Sequence, residues 1–213
     1  MRINKTLGIS LVAVLLLSMV MVTVPVGAMP AQSIWVEPTI TDNLGVGDNF
    51  TVDVMINITD PSGAGTGMFG FEYKLFWNVS IQLTGCTTHI PAGWESPNGF
   101  LVKNETGVWA EPSFPEKIGL GYHYYSYSCL AGATPYTGVM SLCTYTFKYT
   151  VKGTYVLDLY DVKIVDDTAT LITPLNVYDG YVTPPVHNIN TGLSYLTIQG
   201  AIDAPETLNG HTT

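Results

Sequence analysis

Alternation of apolar and polar residues dominates this chain. From 49 to 58, Phe50, Val52, Val54, Ile56 and Ile58 fall on one face of an extended segment, with Thr51, Asp53 and Asn57 on the other. From 68 to 77, Phe69, Phe71, Tyr73, Leu75 and Trp77 share one face, opposite Gly70, Glu72, Lys74 and Phe76. From 142 to 151, Cys143, Tyr145, Phe147, Tyr149 and Val151 alternate with Thr144, Thr146, Lys148 and Thr150. Shorter or more aromatic runs at 34–36, 81–86, 120–130, 154–165 and 177–182 complete the series, with Gly, Pro and Asn between them. Period two needs one wet face and one dry face. The series therefore predicts an all-β, antiparallel two-sheet sandwich over 33–183, jelly-roll-like with about nine strands and with 69–77 central. An immunoglobulin-like sandwich shares this composition, and strand order separates the two. Gly- and Pro-bearing segments 88–100 and 131–140 read as long loops at the sandwich ends.

The two ends of the chain differ from this pattern. Arg2 and Lys5 precede an almost unbroken apolar run from Leu7 to Val24, and Val26-Gly27-Ala28 supplies small residues where signal peptidase needs them. Residues 1–28 thus read as a signal peptide, with a retained membrane anchor as the alternative. Cleavage would take the net charge from −9 to −11. That acidity argues against nucleic-acid partners and suits a secreted or cell-surface domain. Pro184-Pro185 marks a boundary, and 184–213 reads as a linker and a short cap helix near 194–204, with Ile198, Ala201 and Ile202 at helical spacing.

Candidate chemistry is sparse. The histidines, His89, His123, His187 and His211, are scattered, with no metal-ligand spacing, nucleophile elbow or phosphate loop around them. No catalytic residue, metal ligand or cofactor is expected within these residues. The one cofactor reading weighed is calcium near Asp166-Asp167, with Asp158 and Asp161 nearby, against a plain solvated acidic turn. Sequons at Asn49, Asn57, Asn78 and Asn104 are candidate N-glycan sites on an exported chain. Three cysteines cannot all pair internally. Cys86 and Cys129 lie at strand ends beside Gly85 and Gly132, which suggests a Cys86–Cys129 disulfide; Cys86–Cys143 is the alternative.

Several of these segments also resemble a known family. Val46-Gly47-Asp48-Asn49-Phe50-Thr51-Val52, Phe69-Gly70-Phe71-Glu72-Tyr73-Lys74-Leu75-Phe76-Trp77-Asn78, Thr146-Phe147-Lys148-Tyr149 and Asp179-Gly180-Tyr181-Val182 stand in the order of cohesins, found in cellulosome scaffolds and archaeal surface proteins. The resemblance implies a nine-stranded sandwich related to carbohydrate-binding modules and a dockerin-like partner held on one flat sheet face. Two other roles stay open: a polysaccharide-binding module and a structural spacer. A second resemblance covers Tyr195-Leu196-Thr197-Ile198-Gln199 and Ala201-Ile202-Asp203-Ala204, which look like the lead-in of right-handed parallel β-helix proteins of the pectate-lyase-like and periplasmic copper-binding types. It implies that the native protein continues into a β-helix, and that any enzymatic activity would belong there.

In cohesins the third, sixth and eighth strands share a sheet. With Cys129 pointing inward, period two turns His123, Tyr125 and Tyr127 inward and Tyr122 and Tyr124 outward. Glu72, Lys74 and Phe76 on the neighbouring strand and Asp158 and Tyr160 on the late strand then also face outward. The expected contact site is a flat exposed patch of Phe76, Tyr122, Tyr124 and Tyr160 ringed by Glu72, Lys74 and Asp158. An ordinary wet sheet face over packed tyrosines is the competing reading.

Overall fold

The computed structural model describes residues 29–42, 44–59, 67–130 and 132–183, and the backbone of 186–187 and 194–195. The expected signal peptide at 1–28 and nearly all of the expected linker and cap segment at 184–213 lie outside the described residues. In chain order the strands are β1 (Ser33–Glu37), β2 (Ile40–Thr41), β3 (Asn49–Ile58), β4 (Gly70–Trp77), β5 (Ile81–Thr88), β6 (Gly99–Val108), β7 (Gly121–Cys129), β8 (Gly138–Tyr149), β9 (Tyr155–Val165), β10 (Asn176–Tyr178), β11 (Gly180–Val182), β12 (Val186–His187) and β13 (Ser194–Tyr195). A 3-10 turn, Pro115–Lys117, lies between β6 and β7.

Two sheets face each other. The first runs β10-β1-β3-β8-β5 and the second β2-β11-β9-β4-β7-β6. Strand β4 is internal, as expected, flanked by β9 and β7. The sandwich is mixed rather than wholly antiparallel, because β1 pairs with β10 and β2 with β11 in parallel. The cause is that both ends of the domain change sheets. β1 leaves the first sheet through Pro38 and the chain joins the second as β2. β10 leaves the first sheet through Asp179 and continues in the second as β11. The Asp179 carboxylate pins this corner by accepting from the Leu159 amide at 2.9 Å. Gly180 follows because a Cβ there would lie 2.5 Å from a Val36 methyl.

Between the sheets lies one hydrophobic core. Ile34, Val36, Val52, Val54, Ile56, Cys143, Tyr145 and Phe147 enter from the first sheet, and Phe71, Tyr73, Leu75, Trp77, Tyr125, Leu157, Leu159 and Ile164 from the second. These are the stripes that the alternation marked.

Three further expectations change. Strand β6 falls in a segment without clean alternation and was not expected. It forms because its backbone pairs along β7, and it is an edge strand with polar residues interspersed. The expected 131–140 loop ends at Gly138, where β8 begins. Ser194–Tyr195, the expected start of a cap helix, is extended and pairs with Val186–His187. The rest of that helix lies outside the described residues.

Candidate functional site

The outer face of the second sheet carries the expected cluster, with directions that follow the alternation. His123, Tyr125 and Tyr127 are buried inward, while Tyr122 and Tyr124 are half-buried on the outer side. The face is not flat and open, however. The β6–β7 connection folds back over it, closed at its base by Trp109 N–H to the Leu120 carbonyl at 2.8 Å and Gly119 N–H to the Trp109 carbonyl at 2.9 Å. Trp109 meets Phe76 edge-on, ring centroids 5.4 Å apart, and Tyr122 at 5.0 Å. Phe114 stacks on Trp109 and meets Tyr160 at 5.0 Å. Glu116 accepts from the Tyr160 hydroxyl, and Lys117 pairs with Asp158. Phe76 is therefore 0% exposed although it points away from the core. The expectation of an exposed Phe76 is corrected: an apolar ring on an outer face is buried at no backbone cost when a neighbouring loop supplies aromatic cover.

Lys74 is the second correction, at 4% exposure. Its ammonium is 2.5 Å from Asp161 and 3.5 Å from Glu72, and it lies 4.2 Å from the centre of the Tyr124 ring. Buried ammonium groups need such partners. Asp161 reaches Lys74 because β9 is irregular here. The register against β4 shifts between Glu72 and Lys74, and Asp161 takes φ 48°. That left-handed geometry is tolerated by Asp better than by most residues. Burial pushes the Asp161 carboxyl up, but hydrogen bonds from Lys74 and Lys163 outweigh it and hold the group below its ordinary range. A depressed carboxylate contributes stability above its unfolded pKa and loses it as pH falls through the folded one. Asp161→Ala is thus expected to destabilise by about 1–2 kcal/mol at pH 7, less than a fully buried pair would because Glu72 still serves Lys74. The difference from the parent should shrink in acid, as urea melts at pH 7 and pH 3 would show.

What remains open beside this cover is a groove of about 350 Å³. Tyr122 and Tyr124 form part of its lining, with Glu72, Lys103, Glu105 and Glu111 around them. Burial first, then the Glu72 carboxylate, push the Tyr124 hydroxyl up to about 12. Next to the groove, Phe100, Leu101 and Val102 follow one another along the free edge of β6 at 47%, 52% and 51% exposure. Trp109, Phe114 and the 100–102 run were not identified from sequence. Their signal was only a cluster of apolar residues in segments without a period.

Inside the sandwich, below the outer groove, sits a polar cluster. Asn104 Oδ1 accepts from His123 Nε2 at 2.8 Å, which leaves Nδ1 to accept from the Tyr145 hydroxyl at 2.6 Å. The Tyr145 oxygen in turn meets the Tyr73 hydroxyl at 3.0 Å. Cys86 Sγ lies 3.8 Å from His123 Nδ1 and 3.0 Å from Cys143 Sγ. Cys86, His123 and Cys143 form a group of metal-ligand type among the described residues, their ligand atoms all within 4.8 Å. Cys86 and His123 approach as a nucleophile and base would, but each also has another partner, Cys143 Sγ at 3.0 Å from Cys86 and the Tyr145 hydroxyl at 2.6 Å from His123 Nδ1.

The expected Cys86–Cys129 pair is not brought together. Cys86 touches His123, and Cys129 lies six residues further along β7, about 20 Å away at strand rise. All three thiols are unpaired in this structure. Of the sequons, Asn49, Asn78 and Asn104 are exposed, but Asn57 is buried and donates to the Met29 and Pro30 carbonyls. That leaves no room for a glycan on Asn57. The weighed calcium carboxylates do not converge: Asp158 pairs with Lys117, Asp161 with Lys74 and Lys163, and Asp166 accepts from Thr168 and Thr170.

Searches of protein-family profiles and of curated sequences find no match. Solved structures do match. The third ScaC cohesin of Acetivibrio cellulolyticus, solved with the ScaB dockerin, superposes at TM-score 0.50 and 10% identity, covering 71% of this chain and 97% of that one. CaCohA2, solved in complex with CaDoc0917, gives TM-score 0.50 and 12% identity over 71% of this chain and 98% of that one. The domain has a cohesin-like fold. A non-cellulosomal cohesin of the archaeon Archaeoglobus fulgidus is also similar, at TM-score 0.47 and 12% identity over 73% of this chain and 91% of that one. The cohesin-like core is the two-sheet body described above, and the aromatic cover lies on the outer face of its β9-β4-β7-β6 half.

Proposed function

We propose that this cohesin-like domain is a non-catalytic docking module that receives a dockerin-type protein on the β6 side of its second sheet. The observation that carries this reading is the run Phe100-Leu101-Val102, half exposed on a free strand edge and followed along that strand by the charged groove residues Lys103 and Glu105. An apolar centre with a charged rim is the composition of a protein contact surface. The dockerin bound in the ScaC cohesin structure supports the class of partner. The apolar leader and the exposed sequons support an extracellular, cell-surface setting for the exchange.

A polysaccharide partner fits the geometry less well. Sugar stacking needs a bare aromatic face. Here Lys74 lies 4.2 Å over the Tyr124 ring, Lys117 lies 4.3 Å over Tyr160, and Trp109 abuts Tyr122. A spacer has no use for three consecutive exposed apolar side chains.

Titration calorimetry against a panel of dockerin modules tests the proposal. Binding is expected, and Phe100→Asp should weaken it roughly tenfold or more with an unchanged melting temperature. Glycan binding that disappears in Tyr122→Ala and Tyr124→Ala, with no dockerin bound, would overturn it in favour of the polysaccharide reading. Silence toward both panels would leave the spacer.

A further inference from the structure

Two thiols of this domain lie in contact across adjacent strands, and the docking surface makes no use of them. Strand β5 is the open edge of the first sheet, and Cys86 on it pairs in register with Tyr145 of β8. Cys143 lies two residues from Tyr145 and so on the same inward face, a diagonal neighbour of Cys86. The resulting Sγ–Sγ separation is 3.0 Å. Cys86 is exposed at the sheet edge while Cys143 is buried.

We propose that Cys86 and Cys143 are a reactive dithiol that closes to a cross-strand disulfide stapling the edge strand β5 to β8, with Cys86 as the attacking sulfur and Cys143 as the resolving one.

Accessibility and acidity agree on this order. The hydrogen bond with Cys143 lowers the Cys86 thiol against the opposing effect of burial. The same contact, then burial, raises Cys143. Cys129 is pushed up to about 12 by burial and has no thiol neighbour. The reaction needs a disulfide-bearing oxidant. The Cys86 thiol gives its proton to solvent, and the thiolate attacks one sulfur of the oxidant, breaking its S–S bond and releasing one thiol. Cys143 then attacks Cys86 Sγ, and its proton goes to the second departing sulfur. Two protein thiols are oxidised and one oxidant disulfide is reduced to two thiols.

A metal ion is a poorer occupant of the same atoms. Two thiolates on zinc at about 2.3 Å each stand about 3.8 Å apart in a tetrahedral site, wider than the separation here. His123 Nδ1, the nitrogen nearest the sulfurs, is already held by Tyr145 at 2.6 Å. Closing to a disulfide instead requires about 1 Å of approach from an edge strand free on one side.

The test is a thiol count and peptide map of the full chain after exposure to oxidised glutathione, unfolded in an alkylating agent. The expected result is one alkylated cysteine, Cys129, and a Cys86–Cys143 linked peptide that separates on reduction. Cys129→Ser should leave no alkylated cysteine and keep the link. Cys143→Ser should collect one glutathione on Cys86, whereas Cys86→Ser should collect far less on Cys143. The parent map alone decides the pairing if a variant fails to fold. Three alkylated cysteines, a link through Cys129, or reduced Cys86 and Cys143 holding one equivalent of added zinc would overturn the proposal. Glutathione on Cys143 in preference to Cys86 would overturn the assigned order.

Discussion

Trp109→Ala should lower the unfolding free energy by about 3–4 kcal/mol, although Trp109 lies in a loop and outside the sandwich core. The ring is 4% exposed and touches Phe76, Phe114 and Tyr122, so it is the centre of the cover over the second sheet. Its loss would open a cavity between the loop and the sheet and would uncover Phe76, which is otherwise inaccessible to water. Trp109→Phe isolates the cause. The indole N–H has no hydrogen-bond partner, so removing it strands nothing. That variant should keep most of the stability and cost about 1–1.5 kcal/mol through lost ring area. Urea melts of both variants check the prediction. A loss below about 1 kcal/mol in Trp109→Ala would mean that the loop does not pack on the sheet in solution.

The sandwich itself was legible because its information is local. Each of β3, β4 and β8 carries its own wet and dry faces, and alternation reads them without knowledge of any neighbour. The same rule turned Tyr122 and Tyr124 outward and His123 inward, since parity along a strand survives wherever the strand is regular. Parity along β9 is broken at Asp161, where an irregular residue at φ 48° sends Tyr160 and Asp161 to the same side. Nothing in the order of Asp158, Tyr160 and Asp161 announces that break.

What the sequence could not supply was cover. Lys74 and Phe76 alternate correctly as outward residues, yet both are buried, because a segment more than thirty residues later folds over them. That contact depends on where the β6–β7 connection lands, which no periodicity encodes. Strand β6 escaped for a related reason. An edge strand has one pairing partner and needs no clean dry face, so Gly99–Val108 mixes Phe100, Leu101 and Val102 with Lys103, Asn104 and Glu105. The cysteine pairing failed on distance: Cys129 ends β7, whereas Cys86 lies within β5 and meets β7 at His123, near its other end. The candidate docking surface is thus built largely from residues without a pattern, while the patterned ones hold up the scaffold beneath it.

The buried hydroxyl of Tyr145 makes the last prediction. Its oxygen bridges the Tyr73 hydroxyl at 3.0 Å and His123 Nδ1 at 2.6 Å, and all three residues are buried between the sheets. With His123 Nε2 donating to Asn104, Nδ1 must accept, so Tyr145 donates to it and accepts from Tyr73. Tyr145→Phe removes one oxygen but strands two groups, the ring nitrogen and the Tyr73 hydroxyl. A buried polar group left unpaired costs about 1–3 kcal/mol, so the variant should lose about 3 kcal/mol. Tyr73→Phe removes the first donor of the chain and leaves Tyr145 free to donate to His123. It should cost only about 1 kcal/mol, the net value of one hydrogen bond. In the double variant Tyr145→Phe with Tyr73→Phe the stranded Tyr73 hydroxyl is gone, so the second substitution should recover part of the loss rather than add to it. That inversion of sign is what a directed chain predicts and what two independent packing defects would not give. Chemical denaturation of the two single variants and the double variant measures it, and simple additivity of the two losses would refute the proposed direction of the bonds.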